Sequence, residues 1–514
     1  MVEPTDIDVM DELESVLGGA VLVALGTLFT ILLDIGARAI FARAYQPSAY
    51  GIFSLSYTVL LVLSMVAALG LRNGLPRQIA VDEAEKVETN SAGSQILWAL
   101  LLAGIASSFL GVILAHFNWT VAIHLFGDES YARPIRLVAL AIPLFALIRV
   151  ISAVFRGYSR PHERVVFQDL MRNVTLLLLL GFVIAFGYDH ETAIATLPVS
   201  LGFTTVVYFA HLYRDNPGGF RDNVISRLYA LDTPVSLIRF SYPLMLSTLL
   251  IQLMTWMDIL MLGYFASSRT VGLYDGVRPL VRIIPIIWQG MIFMYIPLVS
   301  GLYTKESIDE IRRVYFRLTK WFASATVPLA LLFIFFPESC LRVVFGPTFV
   351  SAAPALQLLA VAFCLGNLFG PTGATLIAMG HTRILMMINL VAAVLNASLN
   401  IVLIPDIGLF GAAIGTSVAL LLRNFLRLTL LYRKGSIHAV KRSLFEPIAL
   451  TASFTVAISS VLGPLTTVTL VGILVALYSF FIISFVLTGN VSKEDSVLIT
   501  YVATQAKRAN LFMS

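Results

Sequence analysis

The sequence predicts an all-α polytopic membrane protein of about fourteen transmembrane helices, arranged as two parallel six-helix repeats that form two lobes around a central cavity, with two further helices appended. Three observations lead there. Hydrophobic residues make up 58% of the 514 residues and charged residues only 13%, against roughly 25% charged in an ordinary soluble domain. About fourteen apolar stretches reach the roughly 20 residues a helix needs to cross a hydrocarbon core. Motifs from the first part of the chain also recur roughly 220 residues later, the mark of an internal duplication.

The apolar stretches begin near Leu17, Tyr50, Ile96, Leu137, Arg172, Glu191, Leu237, Val271, Trp321, Pro354, Ile384, Gly408, Leu444 and Leu465. None alternates with period two over about ten residues, as an outer-membrane strand would, so helices are the spanning structure that satisfies the backbone. The sequence divides into an acidic N-terminal segment 1–16, spans one to six in 17–214, a linker 215–236, spans seven to twelve in 237–433, spans thirteen and fourteen in 434–488, and a tail 489–514. Because residues 1–16 are acidic and the first apolar stretch is too long for a signal core, that stretch is expected to remain as a span. Two cysteines, Cys340 and Cys364, make neither a disulfide framework nor a metal cluster.

With the N-terminus in the cytoplasm, about 23 of the 35 Lys and Arg fall in cytoplasmic loops and the tail, and about 5 in outer loops, which sets the orientation. Both termini are then cytoplasmic, and the expected location is the plasma membrane. The richest inner segments are Arg214–Arg239, read as a solvated linker, and Lys305–Lys320, where Ile308, Ile311, Val314 and Tyr315 suggest an amphipathic helix in the membrane interface. The basic balance serves orientation, and no nucleic-acid partner is expected.

The duplication is read from several matches. Asp34-x6-Phe41-Ala42 recurs as Asp258-x6-Phe265-Ala266, and Gly51 with Pro76 recurs as Gly272 with Pro297 at the same separation. Gly157-Tyr158-Ser159-Arg160 is echoed by Gly380-His381-Thr382-Arg383, Asn173 by Asn396, and Leu212-Tyr213-Arg214 by Leu431-Tyr432-Arg433. Six is an even number of spans, so both copies enter the membrane from the same side and the repeats are parallel, a common build of secondary transporters.

At these residues a resemblance appears. The run Phe41-Ala42-Arg43-Ala44-Tyr45-Gln46-Pro47-Ser48-Ala49-Tyr50-Gly51-Ile52-Phe53 resembles the first outer loop of the polysaccharide biosynthesis family. So does Asp258-Ile259-Leu260-Met261-Leu262-Gly263-Tyr264-Phe265 leading into Val271-Gly272-Leu273-Tyr274. Phe345-Gly346, Leu403-Ile404-Pro405 and Gly411-Ala412-Ala413 are similar to the same family. These are the oligosaccharide flippases of the multidrug, oligosaccharidyl-lipid and polysaccharide exporter superfamily. The resemblance implies translocation of a polyprenyl-linked sugar, whereas composition and spacing alone imply a duplicated transporter.

Charged residues inside spans cost about 2.5 to 3.5 kcal/mol each on insertion scales, so each needs a partner or a wet cavity. Asp275, Arg278, Arg282 and Gln289 share one face of span eight. Asp34 and Arg38 stand at i,i+4 with the acid first, the favourable order for a helical pair. Asp258, the repeat equivalent of Asp34, has no arginine four residues on, which leaves it open to cation binding or to titration. Arg149, Arg156 and Arg160 share a face of span four, and Arg72 and Arg77 end span two. Guanidinium suits phosphate because it stays charged and donates two parallel bonds. Arg38, Arg149, Arg278 and Arg282 are therefore candidate phosphate or diphosphate ligands, and Asp34, Asp258 and Asp275 candidates for ion coupling or structural ion pairing. Asn367, Asn389, Asn396 and Asn400 are assigned to interhelical bonding, with sugar hydroxyls as the alternative.

No nucleotide-binding loop, zinc spacing or catalytic constellation is found, so no enzyme activity, cofactor or metal is expected. The reading is a flippase for a polyprenyl phosphate- or diphosphate-linked oligosaccharide, working toward the outer leaflet by alternating access. Its partners are that lipid-linked sugar, membrane lipid, and the glycosyltransferases or oligosaccharyltransferase of the same pathway. Two other readings stay open: an ion-coupled multidrug or metabolite antiporter of the same superfamily, and a non-transporting scaffold or enzyme of glycan assembly.

Overall fold

The computed structural model describes residues 29–84, 90–222, 224–228, 232–439, 442–463 and 465–488. Segment 1–16, residues 17–28 of the first expected span, and tail 489–514 lie outside the described residues. Among those described the chain is helical with short connections and has no strand. Eleven helices are long and apolar enough to cross a membrane, from Pro47–Glu83 to Thr467–Leu487. The other three expected spans fall on a helix over 29–44 and on Asp232–Phe265 and Ser268–Thr304, of 34 and 37 residues. At 1.5 Å per residue these last two run about 50 and 55 Å, longer than a hydrocarbon core of about 30 Å. Val112, Leu178, Val206 and Val475 are each at least 60% exposed, an arrangement that suits lipid and is unfavourable in water. The protein is an all-α, multi-span membrane protein.

The helices break where the backbone demands it. Pro47–Ala67 ends at Leu69 and Gly70, both with positive φ, before Leu71–Ala84 resumes with Pro76 inside it. A side chain at Gly70 would also sit 2.2 Å from the carbonyl oxygen of Ser241, so both the turn and the close approach require glycine. Span six begins at Asp189, whose carboxylate accepts from the Thr192 N–H at 3.1 Å and the Thr192 hydroxyl at 2.5 Å.

The chain forms two compact units. The first is Met1–Leu280 with Val344–Ala355 and Ala393–Ala419; the second is Val281–Val343 with Leu356–Ala392 and Leu420–Ser514. Within the first, two repeat-equivalent glycines meet. A Cβ on Gly51 would lie 1.8 Å from the Ser268 oxygen, and one on Gly272 would lie 1.9 Å from the Pro47 oxygen, so two helix backbones touch with no side chain between them. Tyr50 beside this contact is fully buried against Phe41, Phe53, Phe345 and Phe349.

Within the second unit, the Tyr315 hydroxyl donates to the Phe369 carbonyl beside the positive-φ Gly370, and the Tyr295 and Thr375 hydroxyls bond at 2.7 Å. The Tyr478 hydroxyl donates to the Ala325 carbonyl at 2.6 Å, and Lys320 lies over the Phe485 ring at 5.4 Å, which fastens the last span to Ile308–Phe335. Here the structure corrects the sequence reading. From Ile308 the expected interfacial helix is the first part of that continuous 28-residue helix, with Ile311 and Tyr315 fully buried. Ile311 and Tyr315 of the apolar edge pack on protein, with the Tyr315 hydroxyl on the Phe369 carbonyl, while Ile308 and Val314 are half-buried.

Candidate functional site

Three polar clusters stand out in the first unit. In one, the helix over 29–44 presents Arg38 one turn after Asp34. Arg38 Nε donates to Asp34 Oδ2 at 2.8 Å, and its Nη1 donates to Asp275 Oδ2 at 2.7 Å. The same Asp275 oxygen accepts from the Tyr50 hydroxyl at 3.0 Å. Asp275 Oδ1 accepts from Arg278 Nη1 at 3.0 Å, and Arg278 Nη2 donates to the Thr255 carbonyl at 2.9 Å. Asp275 is 2% exposed. Two acids and two bases sum to zero charge, so Arg38 and Arg278 are engaged with carboxylates here and not open to an anion. Beside them a cavity of about 20 Å³, room for about one water, is lined by Asp34, Arg38, Tyr57, Arg172, Asn173 and Thr196.

The second cluster surrounds Asp258, which is 5% exposed. Its Oδ1 accepts from the Asn400 amide at 2.9 Å and the Asn396 amide at 3.4 Å. Its Oδ2 accepts from the Thr416 hydroxyl at 2.6 Å and the Tyr274 hydroxyl at 2.8 Å. Asp258 has no arginine four residues on, as the sequence indicates, and four neutral donors from three other helices hold it, since buried carboxylate oxygens need partners. Asn396 and Asn400 thus make interhelical bonds, as does Asn389 in the second unit, whose Oδ1 accepts from Arg427 at 2.5 Å. Asn367 reaches the Ile284 carbonyl at 3.5 Å, also in the second unit.

The third cluster is basic. Arg149, in the Ala132–Gly157 helix, is 6% exposed, and its guanidinium lies 4.6 Å over the Phe145 ring. Its Nη1 is buried with no hydrogen-bond partner, and among the described residues no carboxylate pairs with it. Arg72 and Arg172 lie within electrostatic range of it. Arg172 donates to Asn173 Oδ1 at 3.0 Å and to the Tyr57 hydroxyl at 3.4 Å, and stands 5.6 Å over the same Phe145 ring. Arg156 donates to the Arg72 carbonyl. Arg160 is held by Glu163 and Asp215 at 2.5 and 2.6 Å.

Of the residues singled out from sequence, then, Asp34, Arg38, Asp275 and Arg278 join in one network, while Asp258 and Arg149 each have their own surroundings. Arg282 is exposed and belongs to the second unit. The side chain of Gln289 lies outside the described residues. Five polar residues of these clusters, Tyr50, Tyr57, Arg172, Tyr274 and Thr416, were not singled out as polar partners. Tyr50 and Arg172 appear in the sequence reading as starts of spans, Tyr50 and Tyr274 also within the family-like runs, and Tyr57 and Thr416 not at all; none stands in an i,i+4 pair of opposite charges of the kind that marks Asp34 and Arg38.

Residues 16–302 match the family model described as Polysaccharide biosynthesis protein, and residues 243–402 match MatE. The "Probable low-salt glycan biosynthesis flippase Agl15" of Haloferax volcanii is 23% identical over 379 residues, covering 74% of this chain and 75% of its own. Among solved structures, a multidrug resistance MATE family transporter of the MOP superfamily in its inward-facing conformation aligns with a TM-score of 0.67 at 14% identity, over 79% of this chain and 94% of that one. The lipid II flippase MurJ, inward closed, aligns with a TM-score of 0.65 at 11% identity, over 90% of this chain and 98% of that one. At these identities the structures speak for the fold. One family model spans more than half of the sequence, residues 16–302 of 514, and the chain therefore belongs to the polysaccharide biosynthesis protein family.

Proposed function

We propose that the protein is a flippase that carries a polyprenyl phosphate- or diphosphate-linked oligosaccharide from the cytoplasmic to the outer leaflet of the plasma membrane by alternating access. The observation that carries this reading is Arg149, a buried guanidinium that pairs with no acid among the described residues and has an unpartnered nitrogen. A cation kept in a dry span without a counter-charge is costly unless an anion visits it. A drug or metal cation would find repulsion there from Arg72 and Arg172, whereas a phosphate would find a planar fork already stripped of water. The relative named as a glycan biosynthesis flippase supports the same substrate class.

In this reading Arg38 and Arg278 serve in turn. Asp34 and Asp275 now fill the acceptor places of both guanidinium groups, and a diphosphate displaces the carboxylates when the Arg38–Asp275 link opens. Asp258 supplies the coupling, as a buried carboxylate whose partners among the described residues, Asn396, Asn400, Thr416 and Tyr274, are all neutral. Both termini face the cytoplasm, where the glycosyltransferases that build the sugar deliver it. Deleting the gene should trap the lipid-linked sugar on the cytoplasmic leaflet, with surface glycan lost. An unchanged leaflet distribution in the deletion strain would contradict the proposal.

A further inference from the structure

The twelfth span, Leu409–Gly435, carries two arginines that the preceding sections leave without a task. Arg423 and Arg427 stand one helical turn apart, and so on one face. The Nε atoms of both are buried with no hydrogen-bond partner. Arg427 Nη2 donates to Asn389 Oδ1 at 2.5 Å, and a Cβ added at Gly373 would lie 3.2 Å from its Nη1. Gly373, Asn389, Arg423 and Arg427 all belong to the second unit. Among the described residues no carboxylate pairs with either arginine.

Packing does not account for them. Counting back eight and four residues from the matched Leu431 and Leu212, the first copy carries Thr204 and Tyr208 at the equivalent places. There Tyr208 is fully buried and stacks on Phe155 and Phe167 with ring centroids 5.6 and 4.8 Å apart. The duplicated fold is thus satisfied by neutral side chains, and the second copy places two positive charges in adjacent turns of a span. Arg423 is roughly 21 Å along a helix of about 40 Å, near its middle, where a charge is most costly. Two guanidinium groups at this spacing, with one neutral acceptor on Arg427, match a tetrahedral anion better than any other ligand class.

We propose that Arg423 and Arg427 form a second phosphate-binding site, inside the second unit, that takes the phosphate of the lipid-linked sugar at a different stage of its passage from Arg149. The identity of the lipid rests on the flippase reading; the anion site rests on the geometry. The test uses full-length Arg149→Gln protein in detergent, so that any phosphate site at Arg149 is silenced, titrated with polyprenyl monophosphate and followed by its thermal-unfolding midpoint. Saturable stabilisation is expected, and adding Arg423→Gln and Arg427→Gln should weaken it at least about tenfold. No saturable stabilisation of the Arg149→Gln protein, or equal stabilisation with and without the two further changes, would overturn the site. Equal stabilisation by phosphatidylglycerol or inorganic phosphate would overturn its assignment to the substrate lipid. If the glutamine variant fails to fold, Arg423→Lys with Arg427→Lys decides. The lysine pair keeps the charge without the fork, so about tenfold weaker binding supports the site and unchanged binding overturns it. Because the readout is binding alone, this site can fail while flipping stands, or stand while flipping fails.

Discussion

Asp275 is 2% exposed and accepts from Arg38, Arg278 and Tyr50, whereas Asp34 is 36% exposed and accepts from Arg38 alone. This asymmetry sets the first prediction. Asp275→Asn strands two buried guanidinium groups and should cost about 3 to 5 kcal/mol, while Asp34→Asn leaves Arg38 its bond to Asp275 and should cost about 1 kcal/mol or less. Comparing the thermal stability of the two variants checks it, and an equal loss would count against the network as drawn. Sequence alone shows the pairs Asp34-x3-Arg38 and Asp275-x2-Arg278 but not the link from Arg38 to a residue 237 positions away that joins them. Asp258 gives the second prediction. Asp258→Asn keeps the shape of the site but removes the charge, so it should abolish any dependence of transport on a proton or sodium gradient while protein abundance stays near normal. A variant that still responds to the gradient would return Asp258 to a packing role.

Helices and their junctions carry the next set of constraints. Gly51 and Gly272 were legible as a repeated pair, yet only the structure brings them into contact, because residues that are equivalent by duplication meet only where the copies cross. Gly272→Ala forces a Cβ to within 1.9 Å of the Pro47 oxygen, so the two helices must separate, at a cost of about 1 to 3 kcal/mol. A lower unfolding temperature and reduced transport are expected, and a fully stable, fully active Gly272→Ala protein would contradict the close contact. The start of the sixth span offers a pH test. Bonds from the Thr192 hydroxyl and N–H hold the Asp189 carboxyl below its ordinary pKa. A depressed folded pKa means the cap stabilises the protein above the ordinary carboxylate pKa and is lost as pH falls through the lowered value. Asp189→Ala should cost about 1 kcal/mol at neutral pH and flatten this acid limb of the stability curve; an unchanged limb would remove the cap. The apolar spans were legible from composition because a bilayer leaves helices as the one economical solution. The path of residues 308–320 was not, since an amphipathic edge looks the same whether protein or headgroups cover it.

At the scale of the whole molecule, charge distribution links the topology to the proposed transport. The bias of Lys and Arg, about 23 to 5 between the loops of the two sides, predicts that both termini are cytoplasmic. A cysteine at Ser268 should therefore react with an impermeant reagent in intact cells, and one at Ser436 should not; the reverse pattern would invert the orientation. Inside the spans, the network of Asp34, Arg38, Asp275 and Arg278 is neutral, while Arg149 in the first unit and Arg423 and Arg427 in the second stand without acids among the described residues. Sequence made the excess of base over acid visible and named Arg38, Arg149, Arg278 and Arg282 together; that Arg38 and Arg278 meet carboxylates while Arg149 does not depends on contacts between distant spans. The most direct measurement is reconstitution of the purified protein in proteoliposomes with a polyprenyl diphosphate-linked oligosaccharide, read by the accessibility of the sugar to an external glycosidase or lectin. The wild-type protein should move the sugar between leaflets, and Arg149→Gln, folded and at equal protein density, should reduce the rate at least about tenfold. Movement at the wild-type rate by the Arg149→Gln protein, or none by the wild-type protein under a proton, sodium or zero gradient, would contradict the account.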